Sequence, residues 1–331
     1  MRYRLQTVLL VLTGAAGACA AVMVGCGPTP QQRAVRGYVQ AVAAYEQGDA
    51  DRAIARLETA TKHDPNLTMA RGLLGDLYRG KGEYGRAAQQ YEVLARLDPY
   101  TPANHYKLGV AYQLLQRIGD AAASYLRALQ LDPRDANTSM NLGLAYLALG
   151  QREDALRYTE RATILDPRSA DAWSNLGVAL EATGDFARAE AAYRRSLDLN
   201  PAQQQTLLNL GLNLTTQGKG ADAVIIMERL LKNSDTPATR KRYGDALAKA
   251  GRYDDAVKQY NAALAQNPEY YEALNGIGWV RIAEYRKGLE LDDAKRRSAL
   301  DVWRKSLQIR PDQPRIQTAV GDWGNTALFR K

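Results

Sequence analysis

One stretch of this chain is written twice. The residues NLGLAYLALG, Asn141 to Gly150, return as NLGVALEATG at Asn175 to Gly184. Behind each comes an alanine-led segment, ALRYTERATILDP and then AEAAYRRSLDLNP, closing on Pro167 and Pro201. The period is about 34 residues, and a fixed period of that size marks a stacked-repeat protein. Such chains grow by adding units, so a length of 331 residues does not translate into two globular cores.

The same punctuation runs through most of the sequence. Prolines close the early units at Pro65, Pro99, Pro133, Pro167 and Pro201. An alanine opens the second segment of each unit, from Ala53 and Ala87 to Ala223 and Ala256. A glycine recurs in the first segment at Gly75, Gly109, Gly143, Gly177, Gly211, Gly244 and Gly278, each preceded by a large apolar residue. Apolar residues at helical spacing predict two amphipathic helices per unit. Small residues at fixed places let such helices approach closely. Gly48, Gly82, Gly150, Gly184, Gly218 and Gly251 fall between the helices, where a left-handed turn is expected.

With Trp173, Leu176, Gly177, Ala189, Tyr193 and Pro201 in place, the chain resembles the tetratricopeptide repeat family. The resemblance implies an all-α, right-handed superhelical solenoid of about eight helix-turn-helix units with a concave groove. The units are expected near 34–67, 68–101, 102–135, 136–169, 170–203, 204–236, 237–270 and 271–313, with a capping helix in 314–331 ending in Trp323 and Phe329. Gly37, Gln40 and Ala41 depart from the pattern in the first unit, as suits an end unit with one exposed flank. The eighth unit is about nine residues too long, around Tyr285 to Asp293. A longer helix pair that closes the array accounts for this, and a separate site is the competing reading.

The N-terminus reads as an address. A cationic start, Met1 to Arg4, precedes the apolar run Leu5 to Val24, the arrangement of a secretory signal. Met23-Val24-Gly25-Cys26 resembles a bacterial lipoprotein lipobox, which implies a signal peptide over 1–25, lipid on Cys26 and a tether over 26–33. Cys19 is the competing cysteine, but an apolar segment follows it where a solvated tether is expected. An uncleaved membrane anchor and plain secretion remain as alternatives. Gly27, in place of the aspartate of inner-membrane lipoproteins, points to the outer membrane of a bacterial envelope.

Function is then expected to be binding rather than catalysis. The charge of +8 is spread over 44 basic and 36 acidic residues without a basic, aromatic-laced face, so nucleic acid is not an expected partner. Two histidines far apart in the pattern, His63 and His105, and two N-terminal cysteines supply no metal set. No phosphate-cradling GxxxxGK loop occurs, and no cofactor is expected.

The candidate surface is the groove. Asn141, Asn175 and Asn209 hold one first-helix position in successive units, and Lys107 holds it one unit earlier. Side-chain amides offer a donor and an acceptor to an extended peptide backbone, although asparagine is also a common consensus residue there. One helical step on stand Val110, Leu144, Val178 and Leu212, facing either a peptide's apolar side chains or a neighbouring helix. Lys241, Arg242 and Lys249 would make the seventh unit a basic end. The expected partner is a protein or peptide in an envelope assembly. A glycan or small ligand stacked on Trp173, Trp279, Trp303 or Trp323 is the alternative.

Overall fold

The computed structural model describes residues 28–288 and 292–324. The leader 1–25, Cys26, part of the insertion (289–291) and Phe329 lie outside the described residues. The chain is all-α, with seventeen helices and no strand among the described residues. It forms two compact units that meet in sequence after Leu131. In the first, antiparallel helices pair as α1 (Pro30–Glu46) with α2 (Ala50–His63), α3 (Thr68–Gly80) with α4 (Tyr84–Leu97), and α5 (Pro102–Leu114) with α6 (Ile118–Leu131).

The second unit stacks five pairs and a last helix. These are α7 (Ala136–Ala148) with α8 (Arg152–Leu165), α9 (Ala170–Thr183) with α10 (Phe186–Leu199), and α11 (Gln204–Thr216) with α12 (Gly220–Asn233). Then come α13 (Pro237–Lys249) with α14 (Tyr253–Gln266), α15 (Tyr271–Lys287) with α16 (Asp293–Ile309), and α17 (Pro314–Gly324). Each odd-numbered helix up to α15 is the first of its pair.

Local sequence sets where the helices begin and end. Asp49, Asp135, Ser169, Asp185, Thr236 and Asp292 cap helix starts with their side chains, satisfying amides that have no partner within the helix. Thr29 and Gln32 form a reciprocal capping box at α1. Pro30 to Arg33, expected as part of the tether, are instead the exposed first turn of α1. The turn glycines adopt positive φ as expected, but Gln116, at φ 60°, holds the same place in the third pair. A side chain in that region costs about 1 kcal/mol that glycine avoids.

From the second pair to the eighth, a glycine of the first helix faces a side chain of the second, in most pairs a large one. A Cβ on Gly75 would stand 2.5 Å from the Tyr91 ring, on Gly109 2.6 Å from Tyr125, and on Gly244 2.6 Å from Tyr260. Gly177 meets Tyr193 in the same way. Gly143 faces Thr159 and Gly211 faces Met227. These tyrosine rings are 0–2% exposed, so the missing methyl is what admits them. In the long eighth pair Gly278 faces Trp303, with the insertion lying between them in sequence.

A second device joins successive pairs. Four residues before the packing glycine, Arg71, His105, Trp173 and Gln317 occupy one register position. Each places a side-chain nitrogen 2.9–3.0 Å from the carbonyl of the preceding closing proline: Pro65, Pro99, Pro167 and Pro311. Four unlike side chains satisfy one backbone acceptor. His105 is thereby explained as a packed residue.

The insertion lengthens α15 and α16. Tyr285, 4% exposed, meets Trp323 edge to face at 6.2 Å. The Arg296 guanidinium, also buried, donates to the Trp323 carbonyl at 2.6 Å. The extra turns therefore grip the end of α17. That helix repeats the first-helix pattern, with Gly321 at the packing position, but among the described residues nothing lies within 4 Å of a Cβ there. Its outer face, Gln317, Thr318 and Asp322, is exposed and polar, as a cap requires.

Gly177→Ala is expected to cost about 1–3 kcal/mol, the usual penalty of overpacking. Gly321→Ala, made in open space, is expected to be neutral or to stabilise by up to about 1 kcal/mol through better helix propensity. Urea unfolding of both variants checks the contrast.

A pH prediction comes from Glu190 in α10. Burial alone would raise its carboxyl, but Lys219 (2.7 Å), Arg194 (3.0 Å) and Gln217 (3.1 Å) hold it below the ordinary glutamate value of 4.5. A depressed folded pKa contributes stability that is present above pH 4.5 and lost as the pH falls through the folded value. Glu190→Gln should therefore show a shallower loss of thermal stability on acidification below that pH than the parent chain.

Candidate functional site: the open faces of the first helices

One face of each first helix packs on its second helix, and the opposite face stays open. The tyrosines that fill the glycine gaps reach that open face with their hydroxyls. Tyr91 donates to Asp76 at 2.7 Å, Tyr125 to Gln113 at 2.8 Å, Tyr193 to Glu181 at 3.0 Å and Tyr260 to Asp245 at 2.9 Å. Burial pushes these phenols well above their ordinary pKa, and for Tyr91, Tyr193 and Tyr260 the adjoining carboxylate pushes further. They are therefore neutral hydrogen-bond donors. Where Thr159 and Met227 replace the tyrosine, the open face carries Leu144 with Leu147, and Leu212 with Thr215.

The carboxylates on this face are consequently engaged. Glu181 takes the Tyr193 hydroxyl on one oxygen and the Asn213 amide, at 2.8 Å, on the other. Asp245 accepts from Tyr260 and pairs with Lys241 at 2.7 Å. In the first unit Asp76 accepts from Tyr91 and pairs with Lys107 at 2.6 Å. Lys107 is thus committed to an acidic partner inside its own unit, and Lys241 likewise. Arg242 and Lys249 remain exposed on α13.

Asn141, Asn175 and Asn209 are half-buried and in one register on α7, α9 and α11, which pack side by side. The Asn209 carboxamide oxygen accepts from Gln205 at 2.9 Å. Leu144, Val178 and Leu212 lie in the adjoining row, half-buried; Val178 and Leu212 rest partly against the core of the second unit. Packing on neighbouring residues is thus shown for Val178 and Leu212. Val110 is half-buried on α5 beside Lys107, in the first unit.

The tryptophans take structural places. Trp303 is fully buried and meets Trp279 edge-on at 4.8 Å, and Arg315 covers Trp279 at 5.0 Å. Trp173 and Trp323 are held as described above. No cluster of three or more His, Cys, Asp or Glu side chains suited to a metal occurs among the described residues. Between α2, α3 and α4 lies an open polar recess of about 440 Å³. Glu58 in its wall takes the Tyr78 hydroxyl at 2.5 Å and Arg86 at 2.6 Å.

Sequence reasoning passed over the open face of the first two pairs. Val39 holds on α1 the position that Lys107 and the asparagines hold later, and it is 45% exposed. Tyr45 and Met69 are exposed on the same side. Extending the register back into the first pair, where Ala41 stands at the packing-glycine position, would have found them.

Comparison with known proteins accords with this geometry. A tetratricopeptide repeat model matches residues 38–102, 140–203, 182–238 and 243–287, and a TPR repeat model matches 114–150. A tetratricopeptide repeat protein from Parabacteroides merdae is similar over 71% of this chain and 94% of its own, at 16% identity and a TM-score of 0.57. A chain of the APC/C Cut9–Hcn1 hetero-tetramer is similar over 83% of this chain and 52% of the matched one (17% identity, TM-score 0.55). Pseudomonas aeruginosa pilF is similar over 62% and 94% (20% identity, TM-score 0.54). No curated protein matches the chain. The repeat models span well over half of the sequence, and the chain belongs to the tetratricopeptide repeat family.

Proposed function

We propose that this chain is a non-enzymatic scaffold, held at a bacterial membrane by lipid on Cys26, that binds a protein or peptide on the open faces of its first helices. The observation that carries the binding reading is the row of Asn141, Asn175 and Asn209 on three packed helices, beside half-open Leu144, Val178 and Leu212. An amide row satisfies a peptide backbone while the apolar row takes alternate side chains. Family membership supports a binding role of this kind.

The tether rests on the sequence around Cys26 and on the short distance to α1. Only Gly27 and Pro28 stand between the cysteine and the Thr29 cap. Acyl chains contribute about 0.8 kcal/mol per buried methylene, so two or more chains anchor stably. The array is then held against the membrane surface, where envelope assemblies such as secretion, pilus or cell-wall complexes are built. Gly27 favours the outer membrane. Glycan binding is the weaker reading, since the tryptophans that would stack a sugar are used in packing or capped by Arg315.

Two measurements check the proposal. Radiolabelled palmitate should enter the protein and be lost with Cys26→Ala; labelling unchanged by that substitution contradicts the anchor. An Asn141, Asn175, Asn209→Ala triple variant should fold normally and lose partners that the parent chain retains in crosslinking and pull-down from membranes. Retention of every partner removes the ladder from the binding surface.

A further inference from the structure

The polar recess of the first unit is walled by α2, α3 and α4, two of which are second helices, so it is not part of the open faces of the first helices. Its charges are unevenly matched. Arg86 lies between Glu58, at 2.6 Å, and Glu83, at 2.8 Å, and Glu58 also takes the Tyr78 hydroxyl. Among the described residues no carboxylate pairs with the other two cations of the wall, Lys62 on α2 and Arg71 on α3.

Arg71 is the unusual member. Its Nε donates to the Pro65 carbonyl at 3.0 Å and its Nη1 to the Gln90 carboxamide oxygen at 2.7 Å. Both acceptors are neutral, so a half-buried guanidinium keeps an uncompensated charge, and burial lowers its pKa from the ordinary arginine value. Nη2 makes no bond and stays accessible. The same chain holds this arginine a second time, with a partner. Arg240 stands at the same register in α13, and its Nη1 donates to Gln259 at 3.0 Å, 19 residues on, as Arg71 does to Gln90. There Nη2 pairs with Asp235 at 2.6 Å, while Nε reaches no acceptor. Asp235 lies five residues before Arg240, and the residue five before Arg71 is the neutral Asn66. One arginine–glutamine pair therefore carries its own carboxylate and the other lacks it.

We propose that the recess binds a small dicarboxylic acid, with one carboxylate on Arg71 and Gln90 and the other toward Lys62. The first carboxylate takes at Arg71 the place that Asp235 takes at Arg240. Because the Gln90 oxygen is held by Arg71, its NH2 group is left as a donor beside the guanidinium. These donors suit the two oxygens of a carboxylate, and the contact is charge-assisted at a half-buried group, so it supplies most of the affinity. Lys62 is exposed and adds less. The acid braces the seam between α2 of the first pair and α3 and α4 of the second. None of this uses the asparagine row, so the scaffold reading stands or falls separately.

The test titrates the full chain, in detergent at about pH 8 and constant ionic strength, with succinate, its monoamide succinamate and the neutral succinamide. The readouts are the side-chain amide signals of Gln89 and Gln90, which line the recess, and the thermal midpoint. Succinate should bind saturably and raise the midpoint, succinamate should bind about threefold more weakly, and succinamide should not bind. Arg71→His keeps an N–H for the Pro65 carbonyl, as His105 does for Pro99, but is neutral at that pH. It should weaken succinate at least about tenfold. Lys62→Gln, at an exposed site, should leave stability unchanged and make succinate and succinamate bind alike.

Equal responses to succinate and succinamide, or succinate binding indifferent to both substitutions, overturn the proposal. Inorganic phosphate that binds more tightly than succinate and is lost with Arg71→His assigns the recess to phosphate and overturns it as well. So does a short acidic peptide that displaces succinate at concentrations about tenfold lower, which assigns the recess to a protein partner.

Discussion

From the second helix pair to the eighth one contact recurs, in which a glycine of the first helix lets a side chain of the second, in six of the seven a large one, come down onto its backbone. The rings of Tyr91, Tyr125, Tyr193 and Tyr260 occupy space that any Cβ would claim. Tyr260 is held on both sides, since Gly276 of the next pair also faces its ring. The glycines carry an intrinsic helix penalty of about 1 kcal/mol each. Burial of an aromatic ring at native packing density offsets it. At Gly321 of α17 no ring faces the glycine among the described residues.

The same contact shapes the functional face. A tyrosine that passes the glycine gap delivers a buried phenol to the far side of the first helix, and a carboxylate or amide must be there to receive it. Asp76, Gln113, Glu181 and Asp245 have this role. Acidic residues on the open face are therefore fixed by packing and are not free to hold a ligand. Pairs without the tyrosine, closed by Thr159 or Met227, present leucine instead. Core composition and surface chemistry are thus linked through a single side chain.

The repeat period made the helices and their pairing legible, because glycine, alanine and proline stand at places where only small or helix-ending residues fit. Other features were hidden for physical reasons. The start of α1 was missed because Thr29 and Gln32 act as a reciprocal cap within a segment that reads as a proline-containing spacer. Gln116 gives no signal of a left-handed turn in its own identity. The partner of Lys107 lies on the preceding first helix, about 31 residues away, a spacing that no single-helix rule covers. The shared bond of Arg71, His105, Trp173 and Gln317 escapes a residue-type pattern altogether, since only an N–H in reach of a carbonyl is needed there. Of the candidate site, the asparagine row was legible from register, but the exposed Val39 and Tyr45 of α1 were obscured by the worn pattern of the first unit.

The central claim is that glycine and aromatic act as one element, and a double-mutant cycle on Gly109 and Tyr125 tests it most directly. Gly109→Ala and Tyr125→Leu should each destabilise by about 1–3 kcal/mol in urea unfolding. In the double variant the smaller side chain makes room for the new methyl, so the combined loss should fall short of the sum by about 1 kcal/mol or more. Losses that add to within about 0.5 kcal/mol would mean that the two residues act independently, and the account of how these pairs close would be wrong.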